Sequence, residues 1–152
     1  MQNNEILMRI RDAASLDDAH LVEIFALGGE SVDEDTARAM LNSPSESHSV
    51  FCEDERLLSF LEGFIIDQRG QPKTPRDAEA RTEPLSHNLV LKKLRVALNL
   101  KEDDVLRILD LGGTTMSRRQ LGALARGRTN KRYRECSDEV LESFLTGLQT
   151  SN

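Results

Sequence analysis

Tryptophan is absent from the 152 residues, tyrosine occurs once and phenylalanine five times, so any core the chain builds must be packed mainly by aliphatic side chains. No apolar run approaches the roughly 18 residues that a membrane span needs. The opening MQNNEILMRIRD has neither the basic nor the apolar region of a secretion signal. A cytoplasmic protein with no membrane partner is therefore expected. Cysteine is scarce as well. Cys52 and Cys136 are expected as free thiols, because that compartment is kept reducing. The three histidines, His20, His48 and His87, form no i,i+4 pair and lie near no CxxC, which leaves zinc without a ligand set. Sustained alternation of apolar and polar residues is missing too, so no strand is expected. What remains, 38% hydrophobic and 30% charged residues, suits a soluble domain or two very small ones.

The strongest positive signal is internal. Shifted by 84 residues, positions 4–64 align with 88–148 without a gap, and 18 of the 61 pairs are identical. The matches fall at structural punctuation: Asn4 with Asn88, Arg11 with Arg95, Leu16 with Leu100, Gly28-Gly29 with Gly112-Gly113, and Cys52 with Cys136. After the cysteine, Asp54, Glu55, Leu57, Ser59, Phe60, Leu61 and Gly63 recur as Asp138, Glu139, Leu141, Ser143, Phe144, Leu145 and Gly147. Such self-similarity marks a tandem duplication of one structural unit.

Each copy reads as four short helices. Ile6, Leu7, Ile10, Ala13 and Ala14 recur at helical spacing, and Leu21, Ile24, Phe25 and Leu27 follow the acidic start Asp17-Asp18. The glycine doublets stop the second helix, where a left-handed residue is needed. A third helix is capped at Asp33 or Ser117, with Ala37, Met40 and Leu41 matched by Leu121, Leu124 and Ala125 on the inward face. The fourth carries Leu57, Phe60, Leu61 and Phe64, or Leu141, Phe144, Leu145 and Leu148. The expected architecture is all-α: unit 1 over 1–68, a linker over 69–86 holding three of the four prolines, and unit 2 over 87–152, the copies related by a pseudo-twofold.

The doubled pattern resembles the YehS-like bacterial family, a domain of unknown function (1456). The stretches that carry the likeness are NLVLKKLR from Asn88 to Arg95 and ECSDEVLESFLTGL from Glu135 to Leu148, each with its counterpart in the first copy. The resemblance implies a small bacterial helical-repeat protein. It brings no catalytic residue, cofactor or substrate.

Catalytic chemistry is hard to assemble from the residues themselves. The acidic runs 17–18, 33–35, 53–55 and 102–104 all sit at expected helix starts, where the helix dipole accounts for them. The glycine doublets follow no strand and precede no Lys-Ser or Lys-Thr, so they are not phosphate loops. Cys52 is followed by Glu53, Asp54 and Glu55, whereas Cys136 has Arg132 and Arg134 nearby; neither has a base in a recognised relation, and both are expected as inert core thiols. No cofactor or metal is expected.

Charge separates the copies. Residues 1–68 hold 4 basic against 15 acidic residues, a net of −11, and residues 85–152 hold 12 against 8, a net of +4. Arg118, Arg119, Arg126, Arg128, Lys131, Arg132 and Arg134 fall within 17 residues that contain no acid. Arg119 and Arg126 are expected on the side of the third helix opposite Leu121, Leu124 and Ala125. Residues 103–127 also have the outline of a helix-turn-helix, although the Gly-Gly-Thr-Thr-Met connection is longer than that motif's usual turn. A non-catalytic binding or regulatory module is the favoured reading. For the basic segment, docking onto the acidic first unit, with Glu34 and Asp35 opposite Arg118 and Arg119, or a plain solvated face is favoured; nucleic acid is the next alternative, then an acidic protein, self-association included, and an enzyme with a site not readable from sequence is the last alternative for the chain.

Overall fold

The computed structural model describes residues 1–41, 49–71 and 83–151. Among them are eight α-helices and no strand. The chain divides into two compact units, Met1–Leu85 and Ser86–Asn152. Unit 1 holds α1 (Asn3–Ala14), α2 (Asp18–Leu27), α3 (Glu34–Leu41) and α4 (Asp54–Arg69). Unit 2 holds α5 (His87–Ala97), α6 (Glu102–Leu111), α7 (Arg118–Ala125) and α8 (Asp138–Ser151). His48 and most of the expected linker lie outside the described residues. Arg69, assigned to the linker from sequence, is the last residue of α4; its charge suits the negative end of the helix, and Gly70 then leaves the helix at φ 87°.

Local chemistry sets the helix starts. The Asp17 carboxylate accepts from His20 N–H at 2.8 Å, Asp33 from Thr36 N–H at 2.7 Å, and the Ser86 hydroxyl from Leu89 N–H at 3.1 Å. Ser117 and Gln120 cap α7 reciprocally: the Ser117 hydroxyl accepts from Gln120 N–H at 3.1 Å, and the Gln120 side chain accepts from Ser117 N–H at 2.8 Å.

In each unit the second and fourth helices cross with their backbones in contact. A Cβ on Gly28 would lie 1.7 Å from Ser59 O, and one on Gly63 would lie 1.8 Å from Ile24 O. Unit 2 repeats this, with Gly112 at 1.7 Å from Ser143 O and Gly147 at 1.9 Å from Ile108 O. The doublets thus divide their labour, and the expected left-handed stop falls to the second glycine of each. Gly28 and Gly112 keep ordinary φ angles of −84° and are required for the close approach. Only Gly29 and Gly113 turn left-handed, at φ 91° and 101°.

Around the crossing in unit 1, Phe25, Phe60 and Phe64 are fully buried, with ring centroids 5.4 and 6.0 Å apart. Unit 2 fills the equivalent region with Leu109, Phe144 and Leu148, so its core is more aliphatic.

Candidate functional site

The repeated asparagine and cysteine belong to one structural clamp. Asn4 on α1 donates its side-chain N–H groups to Met40 O at 2.9 Å and Val50 O at 2.8 Å, and its carbonyl accepts from Cys52 N–H at 2.7 Å. Asn88 on α5 does the same with Leu124 O at 2.9 Å, Arg134 O at 2.8 Å and Cys136 N–H at 2.8 Å. One amide thereby ties the first helix to the end of the third and to the segment entering the fourth. A second tie runs from Val50 N–H to Ala39 O, and from Arg134 N–H to Ala123 O, at 3.1 Å in both units. Burial pushes each thiol up to about 12, so Cys52 and Cys136 stay protonated at neutral pH. The arginines beside Cys136 in sequence exert no lowering effect on it, because their side chains are exposed while the thiol is buried.

His20 and His87 each face a carboxylate. His20 Nε2 is 3.0 Å from both oxygens of Asp67, whose hydrogen bond raises the imidazole above its usual value, and His87 Nδ1 is 3.3 Å from Asp138. Among the described residues no group of three His, Cys, Asp or Glu side chains could hold a metal ion. Among the same residues, no helix is long and apolar enough to cross a membrane.

The clamp in unit 2 has a further consequence. By fixing residue 134 against α5 and α7, it holds the segment after α7 beside that helix, and the two form the walls of an open groove of about 880 Å³. Arg118, Arg119, Arg126, Lys131, Arg132 and Arg134 all line it. Arg128 is exposed but does not line it. Turns within the segment, from Asn130 N–H to Gly127 O at 2.9 Å and from Tyr133 N–H to Asn130 O at 3.1 Å, give this wall a defined course. Glu135 is the one carboxylate among the lining residues.

Two details differ from the sequence expectation. Ala125 is exposed, because α7 ends there and no further turn covers it. Arg126 follows the helix in an extended conformation, φ −75° and ψ 158°, so it belongs to the loop wall and not to a basic helix face. Residues 103–127 do form a helix, a connection over 112–117 and a second helix of eight residues.

The electrostatics of α7 run against its own dipole. Six of the other seven first turns carry acids, Glu5, Asp18, Glu34-Asp35, Asp54-Glu55, Glu102 to Asp104, and Asp138-Glu139, and that of α5 carries no charge of either sign beyond His87. α7 instead begins with Arg118 and Arg119, two cations at the positive end of a helix, which is locally unfavourable. Arg118 is compensated inside its own unit by Asp103 and by Glu102 at 3.7 Å. Arg119, Arg126, Arg128, Lys131 and Arg132 form no ion pair among the described residues. Sequence reasoning missed Gly122, which lines the groove together with Ala123, and the available signal was the internal alignment, where position 122 matches Arg38.

The family described as "Protein of unknown function (DUF1456)" matches at residues 3–70 and again at 87–152, the two helical units just described. The chain belongs to this family. Its relatives include the "Uncharacterized protein YehS" of Escherichia coli (strain K12), 35% identical over 148 residues that cover 97% of this chain and 94% of that protein. No solved structure matches it. The double match places the repeat at the level of the family model, and the asparagine clamp and glycine crossing supply its physical basis within each copy.

Proposed function

We propose that the chain is a non-catalytic binding module that takes an anionic partner in the basic groove of unit 2. The observation that carries this reading is the convergence of six cationic side chains on one open groove with a single carboxylate, Glu135, among its lining residues. Grouped guanidinium forks suit charge-assisted hydrogen bonds to oxyanions. The unfavourable placement of Arg119 supports it. A bound anion would relieve the conflict between that charge and the helix dipole, and local rules are broken most often where a site requires it. Neither histidine nor cysteine lines the groove, and the thiols are held protonated by burial.

Amide chemical shifts recorded during titration with a heparin-derived oligosaccharide test the reading. The expected perturbations fall on residues 117–135 and diminish as salt is added. Shifts absent at physiological salt would overturn it, as expected if carboxylates of the acidic unit already occupied the groove. Shifts centred on residues 1–68 would overturn it too.

A further inference from the structure

Resting on that anion-binding reading, we infer that the partner is a nucleic-acid duplex, held by its phosphodiester backbone. The cations are distributed along two walls, with Arg118 and Arg119 on α7 and Arg126, Lys131, Arg132 and Arg134 on the facing segment. A small anion would satisfy two or three of them and leave the others repelling one another. A polymer with one charge per repeating phosphate neutralises the row along its length.

The glycine in the groove lining points the same way. Gly122 sits inside α7, where glycine is locally unfavourable, and a Cβ there would meet nothing within 4 Å. Packing therefore does not demand glycine at this position. What glycine does provide, beside the small Ala123, is a stretch of groove lining with little side-chain bulk that lets a backbone approach closely. Unit 1 has Arg38 at the matching position, and its guanidinium pairs with Asp18 at 3.1 Å.

Aromatic side chains decide between single and double strands. Single strands are gripped by stacking their bases on aromatic rings. No aromatic residue lines this groove, and Tyr133, the one aromatic in the segment, is not among its lining residues. A duplex needs no such platform, because its bases are paired inward and its phosphates face out. The amide of Gln120, a candidate for reading base edges, is engaged with Ser117 N–H at 2.8 Å. The donors left are those of arginine and lysine, whose contacts with phosphate position a duplex.

Fluorescence anisotropy on the full chain tests this, with a short labelled DNA duplex, the corresponding RNA duplex and each single strand. Duplex binding is expected to fall with a log-log salt slope of about −4 if roughly four phosphates are neutralised. Single strands are expected to bind at least about tenfold more weakly. Gly122→Leu, which adds bulk to the groove lining without changing charge, should weaken duplex binding at least about tenfold while the melting temperature holds or rises, since leucine favours helix over glycine. Arg119→Ala should make the slope shallower by about 0.9. The inference is overturned by a G122L variant that binds like the parent, by single strands that bind as tightly as duplexes, or by a lack of salt-sensitive duplex binding. If duplexes fail while the oligosaccharide still perturbs residues 117–135, this inference falls alone; if both fail, the anion-binding reading falls with it.

Discussion

Asn4 and Asn88 make the same three hydrogen bonds at lengths that agree within 0.1 Å, yet the surfaces they support have almost nothing in common. Where unit 2 presents Arg118, Arg119, Gly122, Arg134 and Glu135, unit 1 has Glu34, Asp35, Arg38, Val50 and Phe51. Phe51 is 59% exposed. The comparison separates two kinds of constraint. Positions that hold backbone against backbone, or satisfy buried amides, are the same in both copies because few residue types can do the work. Positions facing solvent on the third helix and the following segment are free to diverge, and there the copies became electrostatic opposites.

The glycine crossing should give the largest effect. Gly28→Ala or Gly112→Ala drives a methyl group into a carbonyl of the fourth helix and should destabilise the affected unit by about 3 kcal/mol or more. Urea denaturation would show this, and a loss below about 1 kcal/mol would mean that the backbones are not in contact. Gly122→Ala is the counterpart at a diverged position. It meets no neighbour and should stabilise by up to about 1 kcal/mol.

Next in size is the clamp. Asn4→Ala removes three hydrogen bonds and strands buried backbone groups, so a loss of about 2–4 kcal/mol is expected. Asn88→Ala should lose somewhat less, because Asn88 is only half-buried. Equal and negligible losses in both would contradict the shared role.

The fold was legible because it is written twice. Helix number and type, the acidic starts, the Asp33 and Ser117 caps and the buried cysteines all follow from periodicity and from the ungapped self-alignment. The asparagine was visible as a match, but its work was not: a side chain that bridges positions 36 and 46 residues away leaves no local pattern. The split between Gly28 and Gly29 was hidden for a similar reason, since one glycine answers to its own φ angle and the other to a neighbouring helix. Of the site, the seven basic residues were legible as a run. Their convergence depends on how the segment after α7 folds back, and Gly122 carries no charge to draw notice.

Thiol reactivity offers a smaller comparison. With both sulfhydryls pushed up to about 12, Cys52 and Cys136 should react slowly and at comparable rates with a thiol reagent at neutral pH, then rapidly in denaturant. Fast labelling of Cys136 alone in the native protein would show that its basic sequence neighbours do reach the sulfur.

The smallest effect concerns pH and belongs to unit 1. His20 pairs with Asp67, whereas the matching position in unit 2 is Asp104. Because the folded imidazole titrates above its ordinary 6.5, the pair's contribution is complete below that value and fades as pH rises through the elevated folded one. Hydrogen exchange in α2 and α4 should therefore quicken slightly on going from acid to alkaline conditions, once corrected for intrinsic rates. His20→Gln should flatten that trend, and an equal trend in α6 and α8 would refute the assignment.

One scaffold carries two unlike surfaces, and the role we propose for the basic one is binding. Its most direct test is the salt needed to elute from immobilised heparin a variant bearing unit 1's residues at matched positions: Arg119→Asp, Arg126→Asn, Lys131→Ser and Arg132→His. Each exposed substitution should change stability by no more than about 0.5 kcal/mol, so the variant should remain folded. The expected result is loss of retention in a protein with an unchanged melting curve; retention equal to that of the parent chain would rule out binding through the basic surface.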